Sequence, residues 1–292
     1  MPELPEVETV RRDISGLFVG GTLERIVVTG RRTVRRHAPG LLAPLEGQVL
    51  DGVGRHGKYL LFGFAGGQVL VVHLRMSGQL LAVPATGPTA LHTHAVMAFA
   101  GAGELRFVDP RTFGEMFVAG HQAGGGAAGP SGARRAVASP AAPGLPAELR
   151  HLGPDALEVE PAGLAAKLAG RRAPLKSLLV DQRVLAGIGN IYADEICFDA
   201  GLRPERAAGS LRRADVRRLV GSARSVLSAA IEARGSTLTD QQYRDLLGEA
   251  GRFQLQHKVY GRAGLACRAC GHEIQRVRFG AKSAFACPTC QP

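Results

Sequence analysis

Apolar residues recur at Val7, Val10, Ile14 and Leu17, behind a proline at position 5. Steps of three and four place them on one helix face, and proline suits a first turn, where its missing N–H has no partner to lose. Gly16 is the expected end of that helix. The period then changes. Strand-like runs follow at Leu23 to Thr29, Lys58 to Phe64, Gln68 to Leu74, Ala95 to Phe99 and Leu105 to Val108, with Gly66-Gly67 as a hairpin turn between two of them. This half reads as a mostly antiparallel β domain carrying an N-terminal helix. From 121 to about 148 the chain is rich in Gly, Ala, Pro and Ser, which bury little surface, and reads as a flexible linker in which Arg134 and Arg135 are solvated. Helical spacing returns at Leu164 to Leu168, Leu175 to Val180, Ile191 to Ala200 and Leu211 to Ala233. Ser210 is the expected N-cap of the last and Gly235 its stop. The tail from Gly264 is a separate small element. The expected class is α+β, divided as 1–120, a linker over 121–150, a helical domain over 151–262 and a tail over 263–292.

Charge adds a partner. The 292 residues carry 36 Lys and Arg against 25 Asp and Glu, a formal +11. Basic pairs stand at Arg31-Arg32, Arg35-Arg36, Arg171-Arg172, Arg212-Arg213 and Arg217-Arg218. A polyanion is the natural partner for such a chain. With no Trp and 5% aromatics, a broad base-stacking platform is excluded. No apolar run reaches the ~18 residues of a membrane span, and the acidic start lacks the apolar segment of a signal peptide. A cytoplasmic protein in a reducing compartment is expected, so clustered cysteines read as metal ligands before disulfides.

Cys267-x2-Cys270-x16-Cys287-x2-Cys290 has the spacing of a closed tetrahedral zinc site. One structural Zn2+ would organise a β-hairpin too short to fold alone. Cys197 lies on an apolar helix face and reads as a packed thiol. The opening Met1-Pro2-Glu3-Leu4-Pro5-Glu6 carries the candidate chemistry. Removal of Met1 leaves Pro2 with a secondary amine, and an α-amine titrates near ~8 against roughly 10.4 for lysine. Its attack on a sugar C1′ gives an iminium ion, the electron sink of Schiff-base catalysis. Glu3 stands next to it to move protons. The same residues also suit a plain helix start. Gly187-Ile188-Gly189-Asn190 reads equally as an ordinary N-cap at Asn190 or as a helix terminus whose N–H groups receive a phosphate. Taken alone, Met76 and Phe113 read as core residues and Lys58 as a solvated lysine at a turn. His92 and His94 have metal-pair spacing without further ligands nearby, which leaves His92 as a DNA contact.

The opening, together with His73-Leu74-Arg75-Met76-Ser77-Gly78, Asp109-Pro110-Arg111-Thr112-Phe113-Gly114, Gly187-Ile188-Gly189-Asn190-Ile191-Tyr192-Ala193, Val259-Tyr260-Gly261-Arg262 and the four cysteines, resembles the formamidopyrimidine-DNA glycosylase family of base-excision repair enzymes. The motifs keep the family's order over nearly the whole chain, apart from the stretch near the middle. The resemblance implies an N-terminal two-layer antiparallel β-sandwich with its helix, a C-terminal helical domain with a helix–two-turns–helix motif, and a zinc-finger hairpin. It implies Pro2 as nucleophile, Glu3 as proton carrier, Glu6 in support, and Lys58 at the amine and the phosphate beside the lesion. Met76, Arg111 and Phe113 would fill the gap left by a flipped nucleotide, and Lys176 and Asn190 would contact DNA.

Two positions depart from the family pattern. Lys282 stands where the family has a phosphate-gripping arginine, a point charge in place of a bidentate fork. Thr112 stands where many relatives have a second basic residue. The linker is also longer than usual. The implied activity is removal of oxidised purines, 8-oxoguanine or formamidopyrimidine, from duplex DNA, followed by β,δ-elimination at the abasic site, by a monomer found in the cytoplasm and on the nucleoid. The alternatives are an endonuclease VIII-like enzyme for oxidised pyrimidines and a non-catalytic damage-binding protein. Loop 235–256, with Thr237, Thr239, Gln241, Gln242 and Tyr243, is where relatives cover the flipped base.

Overall fold

The computed structural model describes residues 1–120, 144–238, 243–279 and 282–292. Most of the expected linker, the loop positions Thr239, Gln241 and Gln242, and the side chain of Lys282 lie outside the described residues. The chain forms two compact units. One takes in Met1–Pro2 and residues 7–120, 144–150 and 243–250; the other takes in Glu3–Glu6 and residues 151–238, 251–279 and 282–292.

The first unit holds helix α1 (Leu4–Phe18) beyond its first turn, and eight strands: β1 (Leu23–Val28), β2 (Leu50–His56), β3 (Tyr59–Phe64), β4 (Val69–His73), β5 (Gln79–Val83), β6 (Thr93–Phe99), β7 (Gly103–Val108) and β8 (Glu115–Val118). They form two antiparallel four-stranded sheets, ordered β1-β6-β7-β5 and β2-β3-β4-β8. Both sheets and α1 share one apolar core. The buried stripe of α1 is Val7, Val10, Ile14 and Phe18, whereas Leu17 is exposed. The helix therefore runs past Gly16, because Phe18 packs on Phe99 with ring centroids 5.1 Å apart. The chain turns at Gly20, whose φ is +86°.

Three strands lie outside the runs expected from sequence. Gly52 and Gly54 interrupt the apolar pattern of β2. β5 runs Gln79-Leu80-Leu81-Ala82-Val83 without alternation, and Ala82 donates its N–H to the carbonyl of Leu246. β8 is short and buried throughout, including Glu115.

The second unit contains α2 (Pro161–Leu168), α3 (Leu175–Leu179), α4 (Asn190–Asp199) and α5 (Arg213–Glu232) around their own core, and a two-stranded hairpin of β9 (Gln275–Phe279) and β10 (Lys282–Ala286). Helix α5 begins after Ser210, which sits in a 3-10 turn with its Oγ bonded to the Ala207 carbonyl. The cap is Arg212, whose N–H is taken by Asp215 in the first turn. Gly235 stops the helix at φ +78°, donating to the Ala230 carbonyl. The quoted motif from Val259 to Arg262 is a turn closed by the Arg262 N–H on the Val259 carbonyl. Its amides are taken by a buried carboxylate: Glu195 accepts N–H bonds from Lys258, Val259 and Tyr260 at 2.8–2.9 Å. No helix among the described residues is long and apolar enough to cross a membrane.

Candidate active site and nucleic-acid interface

The first turn of α4 leaves N–H groups without intrahelical partners. The carboxylate of Glu3 takes three amides there: Gly189 at 2.6 Å, Ile191 at 3.0 Å and Tyr192 at 3.4 Å. The positive end of the helix dipole favours an anion at this place. A Cβ at position 189 would overlap that carboxylate, so glycine is required. Gly187, at φ +109°, accepts the Leu4 N–H and fixes the approach of the N-terminal segment. This corrects the sequence reading twice. The N-cap is Gly189, with Asn190 as first helical residue and exposed, and the terminal N–H groups serve Glu3 before any phosphate.

Behind Glu3 lies a buried polar chain. Glu6 accepts the Glu3 N–H at 2.8 Å, the Ser236 N–H at 2.7 Å and the Tyr192 hydroxyl. The Ser236 hydroxyl pairs with the Tyr192 hydroxyl at 3.2 Å and with Nε2 of His257 at 3.1 Å. Burial raises the Glu6 pKa, and the charge of Glu3 adds to it. Burial and Glu6 push the Tyr192 phenol well above its usual value. Burial lowers His257 to about 4, so its ring is neutral near pH 7. Tyr192, Ser236 and His257 escaped the sequence reading; only Tyr192 stood inside a quoted motif.

In the first unit Pro2 is buried behind an exposed Met1. Lys58 is 5% exposed, which sets aside the solvated-lysine reading. It follows Gly57, at φ +57°, in the β2–β3 turn. Its charge acts on His73, whose pKa falls well below the ordinary value through burial, then Arg75, Lys58 and Arg36. Nδ1 of His73 accepts the Arg75 N–H at 2.8 Å, which leaves the proton of the neutral ring on Nε2. Arg75 and Arg36 converge on buried Glu115 at 2.8 and 3.2 Å. His73 and Glu115 were missed as site residues, although His73 opens one of the quoted motifs.

Met76, Arg111 and Phe113 are all exposed, Met76 at 41% and Phe113 at 37%, so neither apolar side chain is core. Asp109, fully buried, braces both of their loops. Its carboxylate accepts the Ser77 hydroxyl at 2.5 Å, the Arg111 N–H at 3.2 Å and the Gly114 N–H at 2.7 Å. Arg75 and Thr112 both sit at φ +54°, and the Arg111 guanidinium lies 5.0 Å from the centroid of the Phe113 ring. His92 is exposed at φ +65° beside the same assembly, its carbonyl accepting the Asp109 N–H. His94 is bonded to the Asp109 carbonyl, so the two histidines do not act as a metal pair.

Lys176 is not available at the surface. Only 2% of its side chain is exposed, and Nζ lies 2.8 Å from Asp194 Oδ1 and 2.8 Å from the Ser283 carbonyl. The expected DNA contact is thus replaced by an internal pair. Arg276 and Arg278 are exposed on β9. The sulfur atoms of Cys267, Cys270, Cys287 and Cys290 all lie within 4.8 Å of one another, with Cys267–Cys290 at 3.9 Å and Cys270–Cys287 at 3.4 Å. A tetrahedron with Zn–S bonds of 2.3 Å has edges of about 3.8 Å. The set fits one structural zinc with no open position. Cys197 is buried on α4, apart from that set, as expected.

Comparison with known proteins agrees with this layout. The family model for the formamidopyrimidine-DNA glycosylase N-terminal domain matches residues 1–116, that for the formamidopyrimidine-DNA glycosylase H2TH domain matches 152–242, and that for the zinc finger found in FPG and IleRS matches 264–292. A formamidopyrimidine-DNA glycosylase from Symbiobacterium thermophilum is 41% identical over 295 residues, covering all of this chain and 90% of the relative. The crystal structure of MutM (FPG) from Thermus thermophilus aligns at TM-score 0.79 and 39% identity, over 99% of this chain and 98% of that one. Lactococcus lactis Fpg in complex with abasic-site DNA aligns at TM-score 0.81 and 30% identity, over 99% of each chain. With the three models in order along its length and relatives above 40% identical from end to end, the chain belongs to the formamidopyrimidine-DNA glycosylase family and is a DNA glycosylase.

Proposed function

We propose that this protein excises oxidised purines, 8-oxoguanine and formamidopyrimidines, from duplex DNA and then cleaves the strand at the abasic site, acting as a monomer. The observation that carries the reading is the Glu3 carboxylate, fixed by three helix-terminal amides one residue from Pro2. With Met1 removed, the Pro2 nitrogen bonds to C1′ as the bond from C1′ to the base breaks, and the base leaves with a proton. The C1′–O4′ bond then breaks as the nitrogen lone pair forms a double bond to C1′, O4′ takes a proton, and the resulting iminium ion acidifies the C2′ protons. Loss of one expels the 3′ phosphate, and a second elimination expels the 5′ phosphate. Glu3 is the group that moves protons at this centre, with Glu6 holding its backbone. The β,δ sequence and the purine preference come from the family resemblance and the Pro-Glu-Leu-Pro-Glu opening.

Met76, Arg111 and Phe113 fill the space of the extruded nucleotide. Their exposure on braced loops supports this role, since a wedge must reach into the duplex. Lys58, His92, Asn190 and the hairpin's Lys282 hold DNA. The test is borohydride trapping on an 8-oxoguanine duplex with protein whose N-terminal mass shows Met1 absent. The parent should give a covalent adduct and Pro2→Gly should lose base excision. Equal trapping and excision by Pro2→Gly would remove Pro2 as nucleophile. Faster excision of an oxidised pyrimidine in the same assay would move the substrate class.

A further inference from the structure

Lys176 and Asp194 form a buried ion pair to which the proposed function assigns no role. Lys176 lies on α3 and Asp194 on α4, with side chains 2% and 0% exposed. Each also bonds β10. Lys176 Nζ donates to the Ser283 carbonyl at 2.8 Å, and Asp194 Oδ2 accepts the Phe285 N–H at 3.1 Å. Those two backbone groups stand two residues apart, so they point to the same edge of the strand. Among the described residues β10 pairs with β9 alone, which leaves that edge without a neighbouring strand. The lysine supplies the donor and the aspartate the acceptor that a third strand would have supplied.

We propose that Lys176 and Asp194 are a positioning pair, a two-residue substitute for a missing strand, which fixes β10 and with it the hairpin arginines for their grip on DNA beside the lesion. This rests on the reading that the hairpin grips DNA. Register transmits the effect: Ser283 is paired with Arg278 and Phe285 with Arg276. The zinc-bearing end has its own anchorage. Gln291, fully buried, donates to the Leu202 carbonyl at 2.8 Å and accepts the Cys287 N–H at 2.9 Å, and Arg203 bonds its carbonyl. Cutting the pair therefore frees the hairpin and leaves the zinc in place. Removing one partner strands a buried charge, whereas removing both does not. Asparagine at 194 still offers an oxygen to the Phe285 N–H.

The experiment uses full-length zinc-loaded protein in four forms: parent, Lys176→Met, Asp194→Asn and the double variant. Amide exchange over Ser283–Ala286, zinc content, and affinity for a duplex with an abasic-site analogue are measured together. Lys176→Met should keep its zinc, lose protection over 283–286, and bind roughly tenfold more weakly, the scale of one charge-assisted bond. The double variant buries no unpaired charge and keeps the Phe285 bond through the asparagine oxygen, but lacks the Ser283 donor, so it should regain part of both the protection and the affinity. If the single and double variants bind equally weakly while 283–286 stays protected in both, Lys176 acts on DNA directly and the proposal is overturned. If protection is lost and regained but affinity never moves, the strand lock stands and the hairpin is not the grip, which places the failure in the DNA reading.

Discussion

The carboxylates of the second unit and the loops of the first place their working groups in opposite ways. Glu3 and Glu6 are 3% and 1% exposed and held by backbone amides and a phenol. Met76, Arg111 and Phe113 stand out in solvent, and only the backbone beneath them is tied down, through Asp109. A proton carrier needs a fixed position and a low-dielectric setting, which burial supplies. The wedge role proposed for the loop residues requires reach into DNA, so precision passes to the loop anchors. Substitutions should separate the two designs. In the buried site activity and stability fall together; on the loops the anchor carries the stability and the tips carry the function.

The largest effect is expected at Gly189. Alanine there drives its Cβ into the Glu3 carboxylate. The side chain must leave the α4 terminus, and Glu3 loses the place from which the proposed mechanism has it carry protons. General acid–base catalysis is worth about a hundredfold or more, so single-turnover excision should drop by at least that factor. Glu3→Gln should lose as much, and the double variant little more, because both remove one device. Parent-like excision by Gly189→Ala would show that the amide cradle is dispensable.

Asp109 comes next. Its replacement by alanine leaves the Ser77 hydroxyl and the Arg111 and Gly114 amides without their acceptor in a fully buried place. Unsatisfied groups of this kind cost about 1–3 kcal/mol each. A loss near ~3 kcal/mol in urea unfolding is expected, with lesion binding weakened as well. Asp109→Asn, which keeps one acceptor oxygen, should fall between. A stability change within error for Asp109→Ala would mean the loops are braced otherwise.

Glu3 and Lys176 show how far sequence carried. Three of the four stripe positions of α1, five of the strands and the cysteine set follow from local periodicity and spacing, which short segments display by themselves, while the order of motifs comes from the family resemblance. The strands it missed either contain glycines, as β2 does, or are buried on both faces and lack alternation, as β8 is. Glu3 meets the amide of Gly189 across 186 positions, and Lys176 meets Ser283 across 107. No local pattern records such pairs. The resemblance therefore implies Lys176 as a DNA contact and the α4 terminus as open to phosphate, whereas within the chain Lys176 meets Asp194 and the terminus meets Glu3.

A smaller effect is expected from pH. The folded pKa of His257, about 4, lies below its ordinary 6.5 because burial disfavours the charged ring. Between these values the unfolded chain binds the proton and the folded protein does not, so stability falls as pH falls. The contribution is complete above pH 6.5 and lost as pH drops towards 4. Its ceiling is about 3 kcal/mol at 1.36 kcal/mol per unit. Urea unfolding from pH 7.5 to 4.5 should show a shallower decline for His257→Gln than for the parent. Parallel declines would remove His257 from the linkage.

The smallest change in stability is expected where the change in function is specific. Met76 and Phe113 are 41% and 37% exposed, and alanine at either leaves the Asp109 brace intact. Such surface replacements stay within about 0.5 kcal/mol. Extruding a nucleotide costs a few kcal/mol of stacking, and a wedge that fills the gap recovers part of it. Met76→Ala and Phe113→Ala should therefore unfold like the parent and bind undamaged duplex alike, while losing affinity for lesion duplex. Extrusion can be followed with a fluorescent base analogue beside the lesion, whose emission rises on unstacking. The signal should appear more slowly and reach a lower plateau in both variants. A parent-like signal from both, with parent-like lesion affinity, would show that their exposure serves no wedge. Arg111, whose guanidinium lies over the Phe113 ring, would then be the remaining candidate on these loops.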